Sequence, residues 1–299
     1  MTTTTTPVLS PAESRQAPRA NIRGILRRLW RTPEGKVGLI LFAVILFFAL
    51  AGPQIAPYDP LKVAMKERFQ APNREYWFGT DEVGRDVYSR VIYGTRISLS
   101  SALVVIVLAA SAGIPLGMLA GYRGGAVDNI IMRVTDMFLG FPAMLLAIAV
   151  AGALGPGLMK GMVASALVWW PGYARLARGQ VLVTREQLFV EAARSIGASH
   201  GRILFRHILP HLIYSIIVFG TLGISTTVLL EATLSYLGVG VQPPTPSWGN
   251  IIFENQTYFA NAPWLVFFPG LAIVLLALAF NLLGDALRDA LDPKLKGRH

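Results

Sequence analysis

The chain of 299 residues is 53% hydrophobic and only 15% charged, with a mean hydropathy of +0.51, outside the usual range for a soluble globular domain. Its net charge of +10 gathers in the flanks of apolar runs, which suits membrane topology and anionic lipid and sets nucleic acid aside as a partner. With no cysteine, it has no disulfide, iron–sulfur ligation or thiol catalysis.

Residues 1–36 read as a basic tail carrying Arg15, Arg19, Arg23, Arg27, Arg28, Arg31 and Lys36. Its first twenty residues, rich in Thr, Ser, Pro and Ala, are expected to be disordered. The first apolar run, Val37 to Gly52, stops at Pro53 and starts too far from Met1 for a cleaved signal peptide, so 37–53 reads as an uncleaved signal anchor. Residues 54–96 form a polar loop. Further apolar runs cover 97–120, 136–154, 161–174, 212–238 and 264–284, lengths near the roughly 20 residues that a helix needs to cross hydrocarbon. The expectation is an all-α membrane protein with six transmembrane helices, one in 37–53 and five in a core over 97–284, followed by a tail over 285–299.

Lys and Arg in short flanks set orientation. The tails are basic, whereas Val239 to Ala262 has no Lys or Arg. That places this loop outside, both termini in the cytoplasm and the loop 178–211 inside. Parity then puts 54–96 outside although it holds Lys62, Lys66, Arg68, Arg74, Arg85, Arg90 and Arg96, an exception that longer loops tolerate.

The inward loop reads as two short helices. Phe189, Ala192, Ala193 and Ile196 fall at i, i+3, i+4 and i+7, Gly197 ends the first helix, and Ser199 caps a second that stops around Pro210. A small Ala-Ala face with Glu191 beside it suits docking into a partner's groove. An amphipathic hairpin lying on the lipid interface fits the pattern equally.

Glu191-Ala192-Ala193, Gly197 after three residues and His207-Ile-Leu209-Pro210 after nine more resemble the cytoplasmic signature of binding-protein-dependent permeases of ABC importers, with His207 standing where the general pattern has Ile. Trp77 to Leu99, Leu237 to Gly249 and Phe280 to Lys294 are similar to segments of C-type subunits of dipeptide, oligopeptide and nickel systems. The resemblance covers roughly residues 30 to 297. It implies the type I ABC importer permease fold and a bacterial inner-membrane location. It also implies a docking role for Glu191, Ala192, Ala193, Gly197, His207, Leu209 and Pro210. Its implied partners are a second permease, two ATPase subunits that use ATP and Mg, and a solute-binding protein delivering peptide, with glutathione or nickel as alternative cargo.

The chain has no Gly-x-x-x-x-Gly-Lys-Ser/Thr loop and no hydrolase motif, so no catalytic residue, bound cofactor or metal is assigned to it. His200, His207 and His211 lie among arginines without a carboxylate at ligand spacing. Asn255-Gln-Thr257 is a glycosylation sequon by coincidence. Pro115, Pro142, Pro171 and Pro269 interrupt four apolar runs, and Gly113, Gly117 and Gly121 repeat every fourth residue, which permits close helix contact. Arg133 and Asp136 are spaced for an i, i+3 pair. Glu231 alone lies well inside a span, about 10 Å deep by helical rise. It reads either as part of the translocation path or as a hydrogen-bonding group between helices. An ion-coupled carrier, the rival reading, would want internal repeats and several buried charges.

Overall fold

The computed structural model describes residues 22–291, so the disordered-tail expectation for residues 1–20 and the end of the 285–299 tail lie outside them. A short α1 (Ile22–Leu29) leads into α2 (Pro33–Ile55), whose start is fixed by the Thr32 hydroxyl accepting from the Gly35 amide at 3.2 Å. After an irregular segment, the 37-residue α3 (Val87–Arg123) begins at Asp86, which caps the Ser89 amide at 2.8 Å. Gly124, at φ +65°, turns the chain into α4 (Gly125–Leu139), and α5 (Ala143–Leu154) follows across a 90° bend at Pro142. Pro115, Pro171 and Pro269 instead sit inside continuous helices.

The 27-residue α6 (Leu158–Thr184) precedes the hairpin helix α7 (Leu188–Ser195) and α8 (His200–Arg202). The order then runs through α9 (Leu209–Tyr236), α10 (Trp248–Asn255) and α11 (Trp264–Leu291). The expected stop at Pro210 does not occur. A π-helical turn, Ile203–Ile208, joins α8 to α9 in one 37-residue helix, with the Leu209 amide bonded back to the Leu204 carbonyl. Proline lacks an N–H, and Pro210 falls at the first positions of α9, directly after the widened turn.

Among the described residues, four helices are long and apolar enough to cross a membrane: α2, α3, the α8–α9 helix and α11. The bent α4–α5 pair makes a fifth if it counts as one span. The fourth expected run, 161–174, lies in α6, which is about 40 Å long by helical rise. Lys160, Arg175 and Arg178 interrupt its apolar character, so length and composition support fewer spans than six.

Helices α3 and α6 pack backbone to backbone. A Cβ at Gly113, Gly117 or Gly121 would press on the carbonyl oxygens of Trp170, Ala174 and Arg178 in turn. Both series advance by about one helical turn, the geometry that spaced small residues permit. Elsewhere the surface is inverted relative to a soluble protein: Leu50, Val107, Phe267 and Val274 are exposed on α2, α3 and α11, the pattern of helices that meet lipid.

Candidate functional site

The hairpin is seated by residues other than those that define its motif. Val190 and Ala193 of α7 are buried in one apolar cluster with Met118 of α3, Ala177 and Val181 of α6, Ile203 and Ile208 of the π-turn, and Leu212 of α9. Of the expected stripe, Ala193 alone is buried, while Ile196 is 85% exposed and Ala192 also faces outward. The short α7 offers two faces, and the inner one is taken by Val190. The outer one presents Leu188, Glu191, Ala192 and Ile196 on a single surface.

Gly197 ends α7 at φ +76°, with open space where a side chain would stand. A left-handed residue here lets the chain reverse into α8 without strain. Ser199 then accepts from the Arg202 amide at 3.4 Å, as its capping position requires. His207 and Leu209 are half-buried, and Pro210 is exposed at the start of α9. His211 is stacked on Phe189, with ring centroids 4.9 Å apart.

Two polar ties fix the membrane helices beneath the hairpin. Arg185 Nη1 donates to the Gly121 carbonyl at 2.7 Å, satisfying an acceptor in the last turn of α3. Arg178 of α6 grips Asp128 of α4 through both carboxylate oxygens. Asp136 pairs with Arg175 at 2.7 Å instead of with Arg133, because α6 lies alongside α4.

At the opposite end, Glu231 is buried near the end of α9. Its Oε1 accepts from the Ser235 hydroxyl at 2.9 Å, and Ser235 Oγ in turn accepts from the Val241 amide at 3.0 Å. Its Oε2 accepts no hydrogen bond among the described residues, and the carboxylate lines a small cavity with Val105, Met162, Ser165 and Gly240. About 10 Å³ of this cavity is open to water, close to the room that one molecule needs.

Two of the arginines that strain the charge rule, Arg85 and Arg90, are internal, whereas Arg68, Arg74 and Arg96 are exposed. Arg90, fully buried, donates to Asp81 at 2.6 Å and to Glu254 of α10, and Arg85 donates to the same two carboxylates at 2.6 and 3.1 Å. Two cations and two anions thus cancel inside the protein and bind the 54–86 segment and the start of α3 to α10. Sequence reading missed this cluster because Glu254 is more than 160 residues away in the chain. Asn255 is likewise buried, with its amide donating to the Ile251 carbonyl at 2.8 Å, which leaves it unavailable as a glycan acceptor.

Residues 113–297 match the family model described as binding-protein-dependent transport system inner membrane component. Residues 22–72 match that of the N-terminal transmembrane domain of oligopeptide transport permease C. The chain is 41% identical over 274 residues to a dipeptide transport system permease protein, DppC, of Alkalihalophilus pseudofirmus, covering 92% of this chain and 90% of that one. It is 43% identical over 293 residues to a glutathione transport system permease protein, GsiD, of Pectobacterium atrosepticum, covering 98% and 96%. Among solved structures it resembles an inward-facing form of the MetNI methionine ABC transporter, with TM-score 0.55 and 19% identity over 67% of this chain and 95% of that one.

Proposed function

Because the chain belongs to the family of binding-protein-dependent transport system inner membrane components, the non-enzymatic permease subunits of ABC importers, we propose that it carries dipeptides or other short peptides across the bacterial inner membrane. Peptide cargo is supported by its relatives, which belong to dipeptide and glutathione transport systems. The proposed assembly adds a second permease, two ATPase subunits that consume ATP and Mg, and a solute-binding protein that delivers cargo from outside. Both termini and the hairpin face the cytoplasm in this reading, and residues 239–262 face outward.

One observation carries the mechanism. The inner face of α7 shares an apolar cluster with α3, α6 and α9, so a force on the hairpin is delivered to three long helices at once. Close-packed side chains transmit displacement because the interior is barely compressible. The outer face, with Glu191 and Ala192, is free to seat in an ATPase groove, and Gly197, His207, Leu209 and Pro210 hold the reversal behind it. Closure of two ATPases on ATP would then tilt the attached helices and switch access between the two sides.

Glu231 is proposed to face the translocation path when the loop after α9 moves, offering its unpartnered oxygen to a peptide ammonium group. Unchanged transport of all peptides by Glu231→Gln would refute that role. The cargo itself is tested by reconstituting the complex with its binding protein and measuring ATP-dependent uptake of labelled dipeptide against labelled glutathione and nickel. Saturable dipeptide uptake is expected. Uptake confined to nickel would overturn the peptide reading while leaving the permease assignment intact.

A further inference from the structure

Where α3 ends, the surface opens into a pocket of about 410 Å³ lined by Tyr122, Arg123, Arg194 and His200, a size in the ordinary range for small-ligand sites. Three of the four lining residues are basic and none is acidic. Among the described residues, neither Arg123 nor Arg194 has a carboxylate within ion-pair distance; the nearby ion pairs use Arg175, Arg178 and Arg185 instead. Arg185 also occupies the Gly121 carbonyl at the end of α3.

The pocket is held together across three elements. The Arg194 guanidinium of α7 lies over the Tyr122 ring at 5.4 Å from its centroid, a cation–π placement that leaves its edge donors available. The Tyr122 hydroxyl is 3.0 Å from Nδ1 of His200 in α8. Two guanidinium groups and an imidazole therefore line a space that no carboxylate of the described residues lines.

Depth identifies the ligand class. Arg123 follows the apolar stretch that ends at Ala120 by three residues, about 4.5 Å of helical rise, which is headgroup level for a helix leaving hydrocarbon. Leu116, exposed and seven residues back on α3, lies on the same helical face as Arg123 and offers apolar surface for an acyl chain. Arginine forks match phosphate oxygens in geometry as well as charge.

We propose that this pocket binds the phosphodiester headgroup of an anionic phospholipid, seated between Arg123 and Arg194 with its chains along the lower turns of α3. The inference does not depend on which side of the membrane the hairpin faces or on the cargo carried.

The purified complex in detergent is titrated with phosphatidylglycerol, phosphatidylcholine and inorganic phosphate while its thermal unfolding is followed. The expected result is a saturable rise of a few degrees with phosphatidylglycerol alone, since a ligand of the folded state raises the midpoint. Arg123→Gln, and Arg123→Gln with Arg194→Gln, should lose that rise while keeping the wild-type midpoint in phosphatidylcholine. Arg123 lies outside the hairpin, so the single variant reports even if the double variant assembles poorly. An equal rise with inorganic phosphate would make this a free-anion site. No rise in wild type, or a rise that survives Arg123→Gln, would overturn the proposal and leave the basic pocket to a carboxylate of a neighbouring subunit.

Discussion

Arg178 of α6 closes a fork on Asp128 of α4, with Nε and Nη2 each 2.6 Å from one carboxylate oxygen. This fork ties α4 to α6, and Asp128 is the more deeply buried partner. Fork-shaped pairs of this kind fix orientation as well as distance.

Arg178→Ala should therefore lower the stability of the purified complex by about 1–3 kcal/mol, the range for losing hydrogen bonds to a charged group. Asp128→Asn combined with Arg178→Gln should cost less than the sum of the two single changes, because neither charge is then left alone. Thermal unfolding of the four proteins measures the coupling. Strict additivity would show that the fork contributes nothing.

The buried cluster at the other end makes a larger prediction. Arg90→Met removes a fully buried guanidinium that serves both Asp81 and Glu254. Removing one partner of a buried ion pair typically costs about 3–5 kcal/mol, because the remaining charge stays desolvated. Arg85 still contacts both carboxylates, so the loss should fall at the lower end of that range. Proteolysis should then increase first in 54–86, the segment that the cluster clamps to α10.

Glu82 provides a pH test in the same region. Burial pushes its carboxyl above the ordinary glutamate range, and the Asp81 and Glu254 carboxylates push it further, against the opposing pull of Arg85. Folding thus favours its neutral form. That stabilisation is complete at pH below the ordinary glutamate value and is lost as pH rises through the raised folded value. Glu82→Gln should consequently melt higher than wild type at pH 7, with the difference shrinking toward zero as pH falls through the raised value. A difference that stays constant with pH would sink this account.

How much was legible beforehand depends on the range of the interaction. The membrane character, the Gly113, Gly117 and Gly121 spacing, and the reversal at Gly197 are local patterns, and each appears where its spacing placed it. The continuation of helix through Pro210 was not legible, since a π-turn depends on how Ile203 and Ile208 pack against α3 and α6. Val190 was missed as an anchor because the apolar period of the hairpin fits two faces, and tertiary packing selected the one containing Val190. Asp136 pairs with Arg175 and Arg90 with Glu254 for the same reason. At Asp136 the nearby Arg133 loses to Arg175, while Arg90 keeps its sequence neighbour Asp81 and gains Glu254 because the fold brings α10 alongside.

The most direct test of the central claim is ATP-dependent uptake of labelled dipeptide by proteoliposomes holding the complete importer, comparing wild type with Ala192→Trp. Ala192 is exposed on the outer face of α7, so the change should leave the thermal stability of the chain unaltered while blocking close approach of a partner. The account predicts loss of uptake, with ATP hydrolysis no longer responsive to the loaded binding protein. Uptake at the wild-type rate, or uptake by this chain alone without ATP, would contradict it.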